Sequence, residues 1–565
     1  MAKEKYALGL DYGTNSVRAL IVNIRNGQEI ATHVYNYRHG NEGILTDSKD
    51  PNVARQHPLD YIEGVEKAIK PAIAKARKRK GFDPANIVGV GVDTTGSTPI
   101  PVDSEGRPLA LSKEFSRNLN AMAWLWKDHS GHEEAAEITT LAEKRHPEYL
   151  AKCGGTYSSE WYFSKILHCL RVDRKVFDAA ASWVELADFV PAYLTGDINP
   201  ARIKRCVCAA GHKAMYNSEW GGLPARRFLS TLDRELGELR SKLYDEAHTA
   251  DKKAGTLAPA LAKKLGLSAN TAIAVGAFDA HLGAVGAGIK PGTLVKIIGT
   301  STCDMMVTPL KTVLPDIPGL CGIVKGSILP NCYGLEAGQS AVGDIFNWFV
   351  EQLVPPEYYG KNGAKASAHE TLTKLSAKLK PGESGLLALD WNNGNRTVLV
   401  DPRLTGLLIG QTLHTTAAEI YRALIEATAF GAATIINRFE EYGVRVKEVV
   451  NCGGIAEKNS MLMQIYADVT GRPMKISRSS QTCALGAAMF GATAGGAFRS
   501  VRSAQKAMSG LKAKVYTPKL KNHKVYQEIY ALYHDLHDSL GTAEFSKNMS
   551  HVMKRLLEIR DRARA

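Results

Sequence analysis

Tyr6-Ala-Leu-Gly-Leu-Asp-Tyr-Gly-Thr-Asn-Ser-Val-Arg-Ala-Leu-Ile-Val-Asn23 is two apolar runs joined by a short polar one. Residues 6–10 read as a buried strand and residues 17–22 as a second, with Arg18 as its one charge. Between them, Asp11-Tyr-Gly-Thr-Asn-Ser16 reads as a tight turn in which Gly13 is expected at positive φ. Such a turn aims backbone N–H groups, here around Gly13, Thr14 and Asn15, at one point that suits an anion. Asp11 ends the first strand, so its carboxylate can face the same point. A carboxylate beside a phosphate calls for a cation between them, and hydrated Mg²⁺ is the usual one. On this stretch alone, an ordinary hairpin with Asp as a turn residue is an equal reading.

Two further stretches break the tie. Val295-Lys-Ile-Ile-Gly-Thr-Ser-Thr-Cys-Asp-Met-Met-Val307 repeats the pattern, an apolar strand, then Gly299-Thr300-Ser301-Thr302, then another apolar strand. Two such hairpins far apart in one chain suggest a duplicated, two-lobed phosphate clamp. In Val449-Val-Asn-Cys-Gly-Gly-Ile-Ala-Glu-Lys-Asn459 a buried strand runs into Gly453-Gly454 and a helix start. Paired glycines there let a flat ring lie on the backbone.

At 565 residues the chain is long enough for two or more domains with large cores. Hydrophobic residues at 44% and charged residues at 23% describe an ordinary globular protein. No apolar run reaches the roughly 18 residues a membrane span needs, and no signal peptide is evident, so a cytoplasmic location and no membrane partner are expected. Nine scattered cysteines without a CxxC read as reduced thiols. The net charge of +14 raises nucleic acid as a partner, but the basic cluster Lys75-Ala-Arg-Lys-Arg-Lys80 carries no interleaved aromatics, so no nucleic acid is expected.

Tyr61 to Lys80 has helical period, and Val88-Gly-Val-Gly-Val92 is an apolar strand running into Asp93-Thr-Thr-Gly-Ser-Thr98. The polar end of a buried parallel strand is where α/β sheets bind ligands. Residues 115–150, 156–170 and 183–195 read as helices, the last closing at Gly196; Trp124 and Trp126 read first as core. Lys213 follows a small-residue stretch and reads by default as a surface lysine. Asp279 starts a helix and is the only acid in an apolar, glycine-rich surround, which makes it either an N-cap or a general base. Thr415 to Tyr442 is a long helix, residues 483–492 a close-packed one, and residues 505–565 a polar, basic helical tail. No P-loop, GxGxxG followed by an acid, HExxH or GxSxG is present.

The two hairpins, the aspartate of Gly276-Ala-Phe-Asp279, and Gly406-Leu-Leu-Ile-Gly410 through Glu419-Ile-Tyr-Arg-Ala-Leu-Ile-Glu426 resemble the FGGY carbohydrate kinases of the actin-like ATPase superfamily. The resemblance covers about residues 6–500. Two positions depart from the family pattern: Gln411 stands where an aliphatic residue is usual, and Phe278-Asp-Ala280 where Gly-Asp-Gln or Gly-Asp-Asn is usual. The Asp93–Thr98 loop, Ala277-Phe-Asp-Ala-His281 and Leu389-Asp-Trp-Asn-Asn-Gly-Asn-Arg396 look most like the branch acting on L-ribulose.

The resemblance implies an α/β fold of two actin-like (ribonuclease H-like) domains flanking a central catalytic cleft. Residues 1–288 would form the sugar side, 289–504 the nucleotide side and 505–565 a helical tail. It implies ATP-dependent phosphorylation of ribulose at its terminal hydroxyl, with Mg²⁺ at Asp11, and a homodimer. Asp279 would accept the hydroxyl proton. Gly13, Thr14 and Asn15 with Gly299, Thr300 and Ser301 would hold phosphates, and Gly453, Gly454 and Asn459 would lie at adenine. Thr95, Gly96, Trp126, Lys213 and Glu336 would bind the sugar. The alternatives are another sugar or polyol such as xylulose, a non-catalytic sugar sensor, or a filament or chaperone of the same superfamily.

Overall fold

The computed structural model describes residues 3–359, 365–543, 545, 547, 549 and 551–564. The opening hairpin forms as its apolar runs require. β1 (Tyr6–Tyr12) and β2 (Ser16–Asn23) pair antiparallel, and β3 (Glu29–Asn36) extends the meander. β4 (Ile87–Thr94) lies parallel to β1 on its other side, and β5 (Lys253–Thr256), β6 (Ala272–Ala274) and β7 (Ala277–Phe278) complete a seven-stranded sheet. Its order is β5-β6-β4-β1-β2-β3, with β7 also paired to β4.

The second hairpin seeds a second sheet. It comprises β8 (Thr293–Ile298), β9 (Thr302–Pro309), β10 (Gly322–Lys325), β11 (Cys332–Ala337) and, after the short β12 (Leu387–Leu389) outside it, β13 (Glu448–Cys452) and β14 (Met474–Ile476). The order is β10-β11-β9-β8-β13-β14. In both sheets the hairpin's first strand is flanked by two antiparallel neighbours on one side and two parallel ones on the other. The same five-strand topology thus occurs twice, each copy carrying one hairpin at its centre.

The helices that matter to the site are α1 (Pro58–Ala76), α2 (Val207–Lys213), α3 (Asp279–Gly286), α4 (Ala417–Glu441), α5 (Thr482–Ala494) and α6 (Leu520–Gly541). α1 lays Tyr61, Val65, Ala68, Ile69, Ala72 and Ile73 against the first sheet. α4 begins with a capping box between Thr416 and Glu419, which satisfies orphan N–H groups at its start. α5 follows the second sheet but packs on the first. A Cβ on Gly9, Gly89 or Gly91 would lie 1.8–1.9 Å from the carbonyl oxygens of Ala484, Gly491 and Ala487. The glycines of Val88-Gly-Val-Gly-Val92 are there for this backbone-on-backbone approach, which couples the two halves of the chain.

Several expected elements form differently. The segment expected as one helix from residue 183 is a buried strand, Ser182–Glu185, followed by a helix over Leu186–Thr195 that ends at Gly196 in the left-handed region. The strand pairs with Pro99–Val102, a tertiary partner that overrides helical propensity. The helix expected from residue 156 starts at Tyr162, because residues 158–161 form a turn ahead of it. Residues 115–150 are helical only over Leu119–Ala121, His132–Arg145 and Glu148–Ala151. Beyond residue 505 the expected helical tail forms, but α6 is not polar on every face. It buries Tyr526, Ile529, Leu532, Tyr533 and Leu536 in the core around the second sheet.

Candidate active site

Three carboxylates meet at the ends of adjacent strands of the first sheet. Asp11 lies in register with Asp93 across the parallel β1–β4 pair, and Asp93 pairs in turn with Ala277, two residues before Asp279. Strand pairing alone therefore brings the three acids to one sheet edge. Asp93 is fully buried, and neither of its oxygens finds an N–H or O–H donor; its polar neighbour is the like-charged carboxyl of Asp11. Burial, then Asp11 and Asp279, push Asp93 well above the usual carboxylate range. Burial also raises Asp11, against the neighbouring Asp93 carboxyl and the charge of Arg18.

Asp279 is pushed up to about 7 by burial and by the charge of Asp11, with the Ala280 N–H and Lys213 pulling the other way. A carboxyl poised near neutrality can accept a proton at working pH. As the first residue of α3 it accepts the N–H of Ala280 (2.6 Å), the adjacent amide, and makes no side-chain capping bond further into the helix. An all-oxygen anionic set with an unsatisfied member fits a hard dication such as Mg²⁺.

A second polar cluster bridges the two halves of the chain. Lys213, at the end of α2, is only 6% exposed and donates to both oxygens of Glu336 on β11, at 3.1 and 3.3 Å. The surface position expected for Lys213 is thus overturned: small residues before it let α2 pack closely against β10, which draws the lysine inside. Burial alone would raise Glu336, but the Lys213 ammonium outweighs it and holds the carboxyl well below its usual range. His212 Nδ1 and His281 Nε2 lie 3.4 and 3.6 Å from Glu336 Oε2. Burial lowers His281 to about 4 and leaves both its ring nitrogens without a hydrogen-bond partner. Neutral imidazoles beside a fixed ion pair can donate or accept toward a polyhydroxylated ligand. A cavity of about 270 Å³ adjoins this cluster, walled by Trp161, His212, Tyr216, Trp220, Lys325 and Tyr333. It lies beside the carboxylates rather than over them.

The loop after β4 and the segment carrying Trp126 are held together from below. Lys165 Nζ donates to the carbonyls of Ser97 (2.8 Å), Leu125 (2.9 Å) and Trp124 (3.3 Å). Trp124 is core, whereas Trp126 is half-buried and donates from Nε1 to Thr14 Oγ1 at 3.1 Å. Thr95 donates its N–H to the Tyr12 carbonyl, and Gly96 packs so closely on Phe278 that a Cβ would lie 2.1 Å from its ring. Phe278, the departure from the family pattern, is what requires glycine there.

Gly13 does not take the positive φ expected of it, and Gly299 has none either. Each instead donates its N–H within the turn, Gly13 to Ser16 O and Gly299 to Ser301 O, both at 2.9 Å. A Cβ at either would meet nothing closer than 3.5 Å, so glycine keeps the turn's outer face bare rather than bending it. The amides without a protein acceptor are the next two in each hairpin, Thr14 and Asn15, Thr300 and Ser301. The Asn15 side chain is tied to the Glu42 carbonyl (2.7 Å). At the end of β13, Gly453 has φ +96 and sits against Ile298 O, while the face of Gly454 is open. Asn459 acts locally, its Oδ1 accepting the Leu462 N–H (3.0 Å) to cap the next helix.

Sequence reading passed over Asp93, His212 and His281 as site residues. Asp93 had a signal, an acid at the polar end of a buried strand like Asp11. The histidines had none, since only the approach of β11 to α2 and α3 brings them to Glu336.

The chain matches the FGGY family of carbohydrate kinases, N-terminal domain over residues 6–286 and C-terminal domain over residues 294–495. It is 43% identical to a ribulokinase of Geobacillus thermodenitrificans over 100% of this chain and 98% of the relative, and 42% identical to one of Anoxybacillus flavithermus over the same shares. Among solved structures it is similar to a xylulose kinase from Rhodospirillum rubrum, at TM-score 0.77 and 22% identity, covering 95% of this chain and 99% of that one.

Proposed function

The chain belongs to the FGGY family of carbohydrate kinases, and we propose that it transfers the γ-phosphoryl group of ATP to the terminal hydroxyl of L-ribulose. The product is ribulose 5-phosphate, D-ribulose is a second substrate, and L-arabinose catabolism is the setting. The observation that carries this reading is the 43% identity to a ribulokinase over 100% of the chain.

Phosphoryl transfer asks the protein for in-line positioning, charge neutralisation and a proton acceptor. Asp279 takes the hydroxyl proton, since its carboxyl is balanced near neutrality and beside the Lys213–Glu336 pair. Lys213, Glu336, Trp126 and the Thr95–Gly96 loop orient the sugar; His212 and His281 complete its polar wall. The free amides of Thr14, Asn15, Thr300 and Ser301 hold phosphate oxygens, and the open face of Gly454 with Gly453 takes the adenine. Asp11, with Asp93 behind it, would hold Mg²⁺, which when bound supplies positive charge at the phosphates. The sugar side is assigned to residues 1–288 and the nucleotide side to residues 289–504, with Glu336 reaching back across the cleft. No helix among the described residues is long and apolar enough to cross a membrane. A homodimer is the expected assembly, and sedimentation velocity measures it.

The test is coupled ADP release with Mg-ATP against L-ribulose, D-ribulose, L-xylulose, D-xylulose, ribitol, arabitol and glycerol. Turnover led by ribulose is expected. Turnover led by xylulose or glycerol would overturn the substrate assignment, and sugar binding in calorimetry without ADP release would overturn catalysis.

A further inference from the structure

A continuous buried network runs from α6 to the second hairpin. Tyr533 on α6 donates to Asp390 Oδ1 at 3.0 Å. Gln339 Nε2 donates to Asp390 Oδ2 (2.6 Å) and to the Thr428 carbonyl on α4 (2.9 Å). Gln339 Oε1 accepts from Lys296 Nζ (2.8 Å), which also reaches Asp304 at 2.8 Å and Thr302 Oγ1 at 3.3 Å. The Gln339 backbone then clasps Thr302 twice, donating its N–H to Oγ1 and accepting the Thr302 N–H at its carbonyl, both at 3.0 Å. Thr302 directly follows the Thr300 and Ser301 amides that lack protein acceptors.

The polarity of this chain of bonds permits one arrangement. Lys296 has only protons to give and ionised Asp390 only lone pairs, so the Gln339 amide must point its oxygen at one and its nitrogen at the other. Every side chain in it is buried. In a low-dielectric surround such a network is worth most when complete. The chain also makes room for it. A Cβ on Gly431, in the middle of α4, would lie 2.3 Å from Asp390 Oδ2 and 2.7 Å from Gln339 Nε2. Glycine at a mid-helix position costs about 1 kcal/mol relative to alanine, and passage of this bridge is the reason it stands there.

We propose that α6 is a positioning element for the second phosphate hairpin, with Tyr533, Asp390 and Gln339 setting the pose of the Thr300 and Ser301 amides toward the nucleotide. This rests on the reading of that hairpin as a phosphate site. α6 lies beyond residues 294–495, the span matched by the family's C-terminal domain, so it supplies a nucleotide-site support from outside that domain.

The test uses full-length Tyr533→Phe, which keeps the ring packed on Phe430 (centroids 5.4 Å apart) and removes only the hydroxyl. Asp390→Asn is the second variant: its single oxygen can serve Gln339 or the Tyr533 hydroxyl but not both, and it removes the carboxylate charge as well. Each is read by amide hydrogen exchange and by steady-state kinetics. Loss of one buried hydrogen bond is expected to speed exchange over residues 297–303 about tenfold while residues 11–16 stay unchanged. KM for Mg-ATP rises about three- to tenfold, KM for L-ribulose is unchanged, and Asp390→Asn shows the larger effect. Unchanged exchange over 297–303 would refute the link. Faster exchange with an unchanged KM for Mg-ATP would instead refute the nucleotide reading of the hairpin. Equal rises in KM for both substrates with a large fall in Tm would reduce α6 to general stability and overturn the proposal.

Discussion

Replacing Asp279 by Asn separates its chemical role from its energetic cost. The carboxyl is pushed from 3.8 to about 7, first by burial and then by Asp11. At about 1.4 kcal/mol per tenfold, that displacement corresponds to ~4 kcal/mol of folding free energy withheld above neutral pH. The figure is an upper bound, because Asp11 and Asp93 share the same negative field and relax when Asp279 ionises. A net effect of about 1–2 kcal/mol is expected. The sign follows from the raised folded-state value. Between about pH 4 and 7 the unfolded chain has lost this proton and the folded chain has kept it, so wild-type stability falls across that window and levels off above it. A neutral carboxamide in its place carries no such penalty. Asp279→Asn should therefore match wild type in Tm near pH 4, exceed it by a few degrees at pH 8, and lose turnover by about a hundredfold or more. Wild-type kcat/KM should fall on the acid side with a midpoint near 7. Thermal denaturation across pH 4–9 and coupled ADP release read both. Near-full turnover in the variant would make Asp279 a structural helix-start residue, and a Tm difference that does not grow with pH would refute its raised pKa.

Asp11→Ala is expected to raise the Mg²⁺ concentration needed for half-maximal turnover at least tenfold with little change in sugar affinity; equal loss of sugar affinity would move Asp11 into the sugar site. Lys213→Met leaves Glu336 buried without its partner, at a cost of about 3–5 kcal/mol. With the lysine gone, burial raises Glu336, so the Tm deficit should shrink as pH falls toward 5, and a pH-independent deficit would refute the pairing argument. Gly89→Ala drives a Cβ to 1.9 Å from the Gly491 carbonyl and should cost about 3 kcal/mol through displaced α5, seen as a lowered urea midpoint; a wild-type midpoint would show that the two halves are not packed as described.

The two hairpins, and with them the duplicated fold, were legible because each is a local event: an apolar run of strand length, four to six polar residues, and a second apolar run. The same locality makes Asp279 stand out, as a lone acid in an apolar stretch. Local pattern therefore fixes the strands, the turns that join them, and the one carboxyl that stands alone among apolar neighbours in the chain. Everything that depends on a partner far along the chain waits for the assembled fold. Asp93 becomes a site residue because the parallel pairing of β4 sets it beside Asp11. Lys213 turns from a surface residue into half of a buried ion pair because Glu336 arrives from 123 positions away. Gly13 and Gly299 owe their identity to an open face rather than to positive φ. α6, part of a tail read from its composition as polar and basic, is drawn into the core by five apolar side chains on one face and then wired to the hairpin by a single tyrosine hydroxyl. A residue's neighbours in the chain carry its secondary structure, but its charge state and its partners are set by burial and distance, which only the packed molecule defines.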